Sequence, residues 1–362
     1  MNRPATGRRR NSAGPTERSI SLADLGLAPD DELLASAAPW HLTLPDILAE
    51  LFGGPSCYVW PLRARGDVLG ALVTEAQPLL GRRLTILNGI AHQLAMAMEN
   101  ARLMRDVALQ ERLEHELVVG RDIQASFLPQ SCPQPPGWEI SAYWRAARQV
   151  GGDFYDFIQL APGENGPRWG IVIADVADKG VPAALFMALS RTLLRTVAIN
   201  RVSPANTLAR VNDLILADAR SEQFVTVFYG VLEPATGLFR YSIGGHNPPV
   251  LVRCNAGAGT VPGRGIALGV LEQMLFTEQD IWMQPGDSLL LYTDGLTEAV
   301  NAQNEEFGLA RVLAGANEQR GASAQTILDG MSAAVDAHAS GVEVFDDLTM
   351  VVIKRVESEK VP

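Results

Sequence analysis

The chain predicts an α+β fold, antiparallel sheets with helices laid outside them, and three observations carry that expectation. Beyond Gly137 the short apolar strands come as hairpins. The helices come in pairs, so there is no βαβ train and no internal repeat. Four aspartates, Asp153, Asp175, Asp294 and Asp346, each stand beside an apolar strand. Their motifs make sense as turns at strand ends: Val150-Gly151-Gly152-Asp153-Phe154-Tyr155-Asp156, Ala174-Asp175-Val176-Ala177-Asp178-Lys179-Gly180, Tyr292-Thr293-Asp294-Gly295 and Phe345-Asp346-Asp347-Leu348-Thr349.

With 362 residues the chain is long enough for two domains, each with its own core. A net charge of −11 argues against nucleic acid or an anionic membrane as a partner. Cys57, Cys132 and Cys254 are isolated, odd in number and without CxxC or zinc spacing. That pattern reads as reduced thiols in a cytoplasmic protein. No run of about 18 apolar residues marks a membrane span. The N-terminus carries Arg3, Arg8, Arg9, Arg10 and Arg18 with no apolar stretch behind them. Residues 1–28 therefore read as a basic disordered tail rather than a secretory signal.

Residues 30–104 read as a small sensory α/β module. It holds a short helix at 44–51, a strand at 57–62, a turn at 63–67 and a returning strand at 68–74. From Leu84, Ile86, Ile90, Leu94, Met98, Leu103, Val107, Leu113, Leu117, Ile123 and Phe127 recur at helical spacing, and no proline interrupts before Pro129. So long a pattern predicts a rod between two domains, with 105–130 as the linker, suited to a parallel coiled coil in a homodimer. The alternative is two shorter helices broken near Gly120. Four prolines between Pro129 and Gly137 then mark a domain boundary. Within 131–356 the pattern predicts strands at 138–146 and 169–174 and helices at 183–199 and 204–219. A hairpin follows at 224–232 and 238–244, with 250–252 continuing it. Next come a strand at 287–293, helices at 310–314 and 324–338, and a closing strand at 348–354.

Carboxylates converging from distant strand ends are what a hard divalent cation needs, because Mg²⁺ and Mn²⁺ take oxygen ligands and keep several waters. Two such ions about 4 Å apart activate water and clamp a phosphoryl group. The Gly151-Gly152 pair lets backbone approach an ion or ligand closely, and the Val176 carbonyl adds a further oxygen. One Asp-Gly turn alone is an ordinary hairpin or cap; four beside strands point to metal. In Gly244-Gly245-His246-Asn247-Pro248-Pro249, His246 either orders the loop, the favoured reading, or donates a proton.

Taken in order, these motifs resemble the SpoIIE-type bacterial serine/threonine phosphatases of the metal-dependent type 2C (PPM) superfamily. The similarity covers about residues 110–356, including Glu111-Arg112, Glu116-Leu117, Ile123-Gln124 and Phe127-Leu128-Pro129 ahead of the domain. Residues 58–104 look like the C-terminal half of a GAF sensory domain. The resemblance implies a four-layer α-β-β-α sandwich with a metal site at one edge. It makes Asp153, Asp175 and Asp294 the catalytic set around two Mn²⁺ or Mg²⁺ ions. Asp175 would bridge them, Asp153 and the Val176 carbonyl would complete the first site, and Asp294 and Asp346 the second. Asp347 competes with Asp346 for the last position. A metal-bridging hydroxide would attack phosphoserine or phosphothreonine on a signalling protein, such as an anti-sigma factor antagonist in partner switching. Arg145 or Arg148 either grips the phosphate or is a surface charge. The chain departs from the commoner pattern at Asp178-Lys179, where Gly-His is frequent; Lys179 either steers phosphate or is solvated. The rival readings are a non-catalytic signalling scaffold of the same fold and a hydrolase of small phosphate esters.

Overall fold

A computed structural model of the chain describes residues 39–43, 54–65, 67–75, 81–200, 203–218, 223–342 and 346–356. The expected tail at 1–28, the helix at 44–51 and Gly66 of the turn lie outside the described residues. The chain divides into two compact units, residues 1–113 and 114–362.

In the first unit β1 (Trp40–Thr43), β2 (Ser56–Ala64) and β3 (Asp67–Glu75) form an antiparallel sheet in sequence order. Trp60 and Leu62 bury against Ala91 and Ala95 of α1 (Arg82–Phe127), and the Trp60 indole N–H donates to Asn88 at 2.8 Å. α1 is 46 residues long and runs unbroken through Gly120, so the two-helix alternative is not what forms. It stops at Phe127, because Pro129 disfavours helical backbone in the residue before it.

The second unit holds two five-stranded sheets. The first contains β5 (Phe154–Gly163), β6 (Gly166–Val176), β7 (Val225–Glu233), β8 (Leu238–Gly244) and β11 (Gln279–Trp282), in the order β11-β8-β7-β6-β5. The second contains β4 (Trp138–Arg145), β9 (Val250–Arg253), β10 (Gly257–Thr260), β12 (Ser288–Tyr292) and β13 (Leu348–Arg355), in the order β10-β9-β12-β13-β4. Every neighbouring pair is antiparallel. Helices α2 (Val181–Asn200) and α3 (Pro204–Asp218) cover the first sheet, and α4 (Gly308–Glu318) and α5 (Ala324–His338) the second. This is the four-layer α-β-β-α sandwich.

The layering follows from the two-residue period of strands. Leu289, Leu291, Val351 and Ile353 point into the core shared with Phe228, Phe239 and Tyr241 of the first sheet. Leu290, Tyr292, Met350 and Val352 point the other way, onto Leu328, Met331 and Val335 of α5. Both faces are covered, which is why 289–292 of β12 and 350–353 of β13 read as unbroken apolar runs.

Several expectations are corrected. The strand at 250–252 does not continue the β7–β8 hairpin. The loop through Pro248 and Pro249 carries the chain across, and β9 pairs with β10 and β12 in the opposite sheet. Gly245 makes that crossing possible, since it has φ +73° and a Cβ there would lie 2.7 Å from the Ala267 nitrogen. Strand β5 was not foreseen, because Asp156 breaks its apolar run. That carboxylate is in fact buried, receiving Arg195 at 2.8 Å and Arg191 at 3.1 Å from α2. Nor does Asp175 lie in a turn after its strand, since β6 extends to Val176. By length and hydropathy α2 would also qualify as a membrane span, with a mean hydropathy of 1.3, which the sequence reading did not credit. Here one face of it, including Phe186, Met187 and Leu194, is buried in the domain core.

Candidate metal centre

The start of β5, the end of β6, the end of β12 and the start of β13 meet at one end of the sandwich, and their register brings the predicted aspartates together. Asp153, just before β5, is buried at 2 % exposure. Its Oδ2 accepts hydrogen bonds from the Thr293 hydroxyl at 2.6 Å and the Thr349 hydroxyl at 2.7 Å. Those threonines belong to the opposite sheet's strand ends, and the Thr349 N–H in turn donates to Thr293 Oγ1 at 3.1 Å. Asp175, opposite Thr226 in the β6–β7 register, is close enough to Asp153 for each carboxyl group to shift the other's charging. Asp294 opens a 3-10 turn, Asp294–Leu296, whose first carbonyl accepts the Thr297 and Glu298 N–H groups at 2.8 Å.

The adjacent pair Asp346 and Asp347 divides its work. Asp347 Oδ1 accepts the Ala147 N–H and Oδ2 the Gly152 N–H, both at 2.8 Å, so this side chain holds the glycine loop. Asp346 faces Lys179, whose Nζ donates to Oδ2 at 2.9 Å. The glycines are required by close approach. A Cβ on Gly151 would lie 1.9 Å from Asp347 Oδ2, and one on Gly152 would lie 2.7 Å from the Val176 carbonyl oxygen.

Three residues with supporting roles were missed by sequence reasoning. Thr293 and Thr349 stood inside the quoted motifs, but a hydroxyl beside an aspartate gives no signal of its own. Gln124, on the last turns of α1, is buried and grips Gly151 in both directions. Its Oε1 accepts the Gly151 N–H at 3.0 Å and its Nε2 donates to the Gly151 carbonyl. Gln124→Leu leaves both backbone groups buried without partners. It is expected to cost about 2 kcal/mol and to lower the Tm by about 4–8 °C in thermal unfolding.

Burial and mutual repulsion set the electrostatics. Asp153 is pushed well above the ordinary carboxylate range, first by burial and then by the charges of Asp175 and Asp347, with the two threonines opposing. Asp175 is raised to about 7, first by burial and then by Asp294, with smaller contributions from Asp346 and Asp347. Asp294 is raised to about 6, by burial first and then by Asp346 and Glu298, while Lys179 opposes the shift. Folding raises these values above 3.8, so the metal-free folded protein holds protons more tightly than the unfolded chain. The stability this cluster contributes is full below about pH 4 and is lost as pH rises through about 6 and 7. Melting curves in EDTA between about pH 5 and pH 8 should show the Tm falling with pH, and saturating Mn²⁺ should reverse the fall.

Among the described residues no three Asp, Glu, His or Cys side chains close on one point. Asp175, Asp346 and Asp347 line a cleft with Arg148, Gly151, Gly152 and Lys179. The donors still suit Mg²⁺ or Mn²⁺. All are hard oxygens, they repel one another for want of positive charge, and such ions need few carboxylates because they keep water.

His246 and Arg145 fall outside this cleft. His246 is buried with Nδ1 on the Thr226 hydroxyl at 3.0 Å, and burial lowers it to about 4, so it orders the loop as a neutral ring. Arg145 pairs with Asp336 of α5 at 2.7 Å. Arg148 alone of the two arginines lines the cleft. Cys57, Cys132 and Cys254 are all free thiols.

The family model for Stage II sporulation protein E (SpoIIE) matches residues 165–356. The chain belongs to the SpoIIE family. The match covers β6 through β13 and so takes in Asp175, Asp294 and Asp346. Protein IcfG of Synechocystis sp. is 32% identical over 268 residues, 66% of this chain and 41% of IcfG. Phosphoserine phosphatase RsbU of Bacillus subtilis is 25% identical over 263 residues, 72% of this chain and 75% of RsbU. The SiaA-PP2C domain of Pseudomonas aeruginosa superposes with a TM-score of 0.60 at 18% identity, over 68% of this chain and 98% of that domain. The last comparison speaks to the fold, the PP2C-type sandwich of the SpoIIE family. The chain spans under half the length of IcfG.

Proposed function

We propose that the chain is a metal-dependent protein serine/threonine phosphatase that hydrolyses phosphoserine or phosphothreonine on a signalling protein. The observation that carries this is the convergence of Asp153, Asp175, Asp294 and Asp346 at one end of the sandwich of a SpoIIE-family domain, where their charges act on one another. The relation to RsbU, a phosphoserine phosphatase by name, supports it. Asp175 would be shared by two ions. Asp153 and the Val176 carbonyl would hold the first, and Asp294 and Asp346 the second. Asp347 is the weaker choice because its oxygens already serve Ala147 and Gly152. Mn²⁺ or Mg²⁺ bound there would supply an acidified water and neutralise phosphate oxygens.

The chain's own residues do the rest. Thr293 and Thr349 fix Asp153, while Asp347 and Gln124 fix the glycine loop. Arg148 at the cleft is placed to grip a phosphate. The substrate we propose is a phosphorylated anti-sigma factor antagonist in the cytoplasm. The module at 30–104 would be the sensor, partly GAF-like. A homodimer through α1 would carry its signal, a reading supported by the exposed Ile86, Ile90, Leu94, Leu113 and Ile123 along that helix. A chain that stays monomeric at every concentration would remove the dimer. Phosphate release from a phosphoserine protein tests the activity. Turnover with Mn²⁺ and none in EDTA is the expected result. Turnover undiminished by EDTA overturns the metal reading, and a folded chain that neither binds two ions nor turns over any phosphoprotein would favour the scaffold alternative.

A further inference from the structure

The two oxygens of the buried Asp153 carboxylate are treated differently. Among the described residues its side-chain donors are the Thr293 and Thr349 hydroxyls, and both go to Oδ2, at 2.6 Å and 2.7 Å. Both threonines are fully buried. A hydroxyl has one proton to give. Thr293 Oγ1 also lies 3.5 Å from the Thr349 carbonyl oxygen, too far to compete with Asp153. The same Oγ1 accepts the Thr349 N–H at 3.1 Å, and the Thr293 N–H donates to the Thr349 carbonyl at 3.1 Å. The end of the β12–β13 ladder therefore sets the direction of both hydroxyls. A carboxylate oxygen offers two lone pairs, so Oδ2 is fully taken. Oδ1 has no such donor among the described residues. Asp347 shows the contrast, since the Ala147 N–H takes its Oδ1 and the Gly152 N–H its Oδ2.

We propose that Thr293 and Thr349 are specificity-determining residues that hold Asp153 to a single ligand oxygen and so select a small octahedral cation over Ca²⁺. The inference rests on the metal reading given above. Mg²⁺ demands near-octahedral geometry, keeps several waters and is satisfied by few carboxylates. Mn²⁺ shares the octahedral oxygen preference. Ca²⁺ is larger, takes more oxygens and often takes both oxygens of one carboxylate. A carboxylate with one oxygen withheld serves the first kind of ion and leaves the second short of a ligand. The withholding is firm for two reasons. Hydroxyl donors to an ionised carboxylate are about twice as strong as neutral pairs. Turning Oδ2 toward an ion would also strand two hydroxyls that are buried from water.

The test is calorimetry of the full chain with Mn²⁺ and with Ca²⁺. It compares wild type, Thr349→Val, Thr293→Val, the double variant, Thr349→Ser and Asp153→Asn, with melting curves to establish that each is folded. The binding step lost in Asp153→Asn is the one this carboxylate holds. Valine keeps the branched shape and removes the hydroxyl. Thr349→Val is the cleaner variant, because that hydroxyl serves Asp153, whereas Thr293→Val also strips the Thr349 N–H of its acceptor. Wild type should prefer Mn²⁺. Thr349→Val should weaken Mn²⁺ binding about tenfold, the lower range for loss of a residue that supports a ligand, with Ca²⁺ affinity unchanged or higher. The double variant should lose little more of the preference than either single one, because one freed lone pair already opens Oδ2. Thr349→Ser should keep the wild-type preference. If Thr349→Val weakens both ions equally, or neither, the inference is overturned and the hydroxyls only steady the side chain. Wild type that binds Ca²⁺ as tightly as Mn²⁺ overturns it as well. If wild type binds neither ion, the metal reading fails first and takes this inference with it.

Discussion

Asp175→Asn is expected to lower Mn²⁺-dependent phosphate release by at least about 100-fold, the upper range for loss of a residue that merely supports a ligand. The substitution keeps the shape of the side chain and removes one charge from the centre of the cluster. Asp175 has Asp153 as a close neighbour, and Asp294, Asp346 and Asp347 contribute repulsion. The same variant should move stability in the opposite direction. In EDTA above about pH 7 the wild-type carboxylate is ionised at a cost, since its pKa is raised to about 7 by burial and neighbouring charge. Asparagine has no charge to force into that place. The metal-free variant should therefore melt higher than wild type at pH 8, and the fall of Tm with rising pH should be shallower. Lower turnover together with higher apo stability would mark a residue kept for chemistry at the expense of the fold. A variant with wild-type turnover would remove Asp175 from the mechanism.

Gly295→Ala is expected to lose both stability and activity, by about 3 kcal/mol or more. A Cβ at this position would lie 1.9 Å from the Asp347 carbonyl oxygen and 2.9 Å from its carbonyl carbon. These are backbone atoms and cannot rotate away as a side chain would. Either the Asp294–Leu296 turn or the segment leading into β13 must move. Both carry candidate ligands, Asp294 on one and Asp346 on the other. Asp347, whose carboxylate holds Gly152, would move with them. Thermal unfolding should show a Tm lower by roughly 10 °C, and Mn²⁺ binding should weaken at temperatures where the variant is still folded. A variant that melts like wild type would show the two segments to be more compliant than their packing implies. Gly151→Ala meets Asp347 as well, but at its carboxylate oxygens, so its effect should fall on the glycine loop more than on the fold.

Much of this architecture was legible because strands and helices announce themselves by period. The helix Ala324–His338 shows apolar residues at helical spacing and opens on Ser323, whose hydroxyl caps the Thr326 N–H. Residues 348–354 were readable as a strand because both faces are buried and every position but Thr349 and Lys354 is apolar. Strand β5 was hidden because an aspartate in mid-strand reads as a break until the two arginines of α2 are seen to neutralise it. The sheet assignment of β9 was hidden for another reason. Local sequence encodes that a segment is extended, but which neighbour it pairs with depends on where the preceding loop carries it.

For the candidate site, the amino-acid sequence by itself determined the participants. Asp153, Asp175, Asp294 and Asp346 stand beside strands, and glycines stand where backbone must come close. Composition and spacing suffice for this because each choice is local. Only the tertiary structure decided how the participants divide the work. It turned Asp347 toward the Ala147 and Gly152 N–H groups and Asp346 toward Lys179, two neighbours in sequence with opposite assignments. It placed Thr293, Thr349 and Gln124 around Asp153 and Gly151. The physical reason is that hydrogen bonds and charge interactions act over a few ångströms, while the residues that share them here lie up to 200 positions apart in the chain.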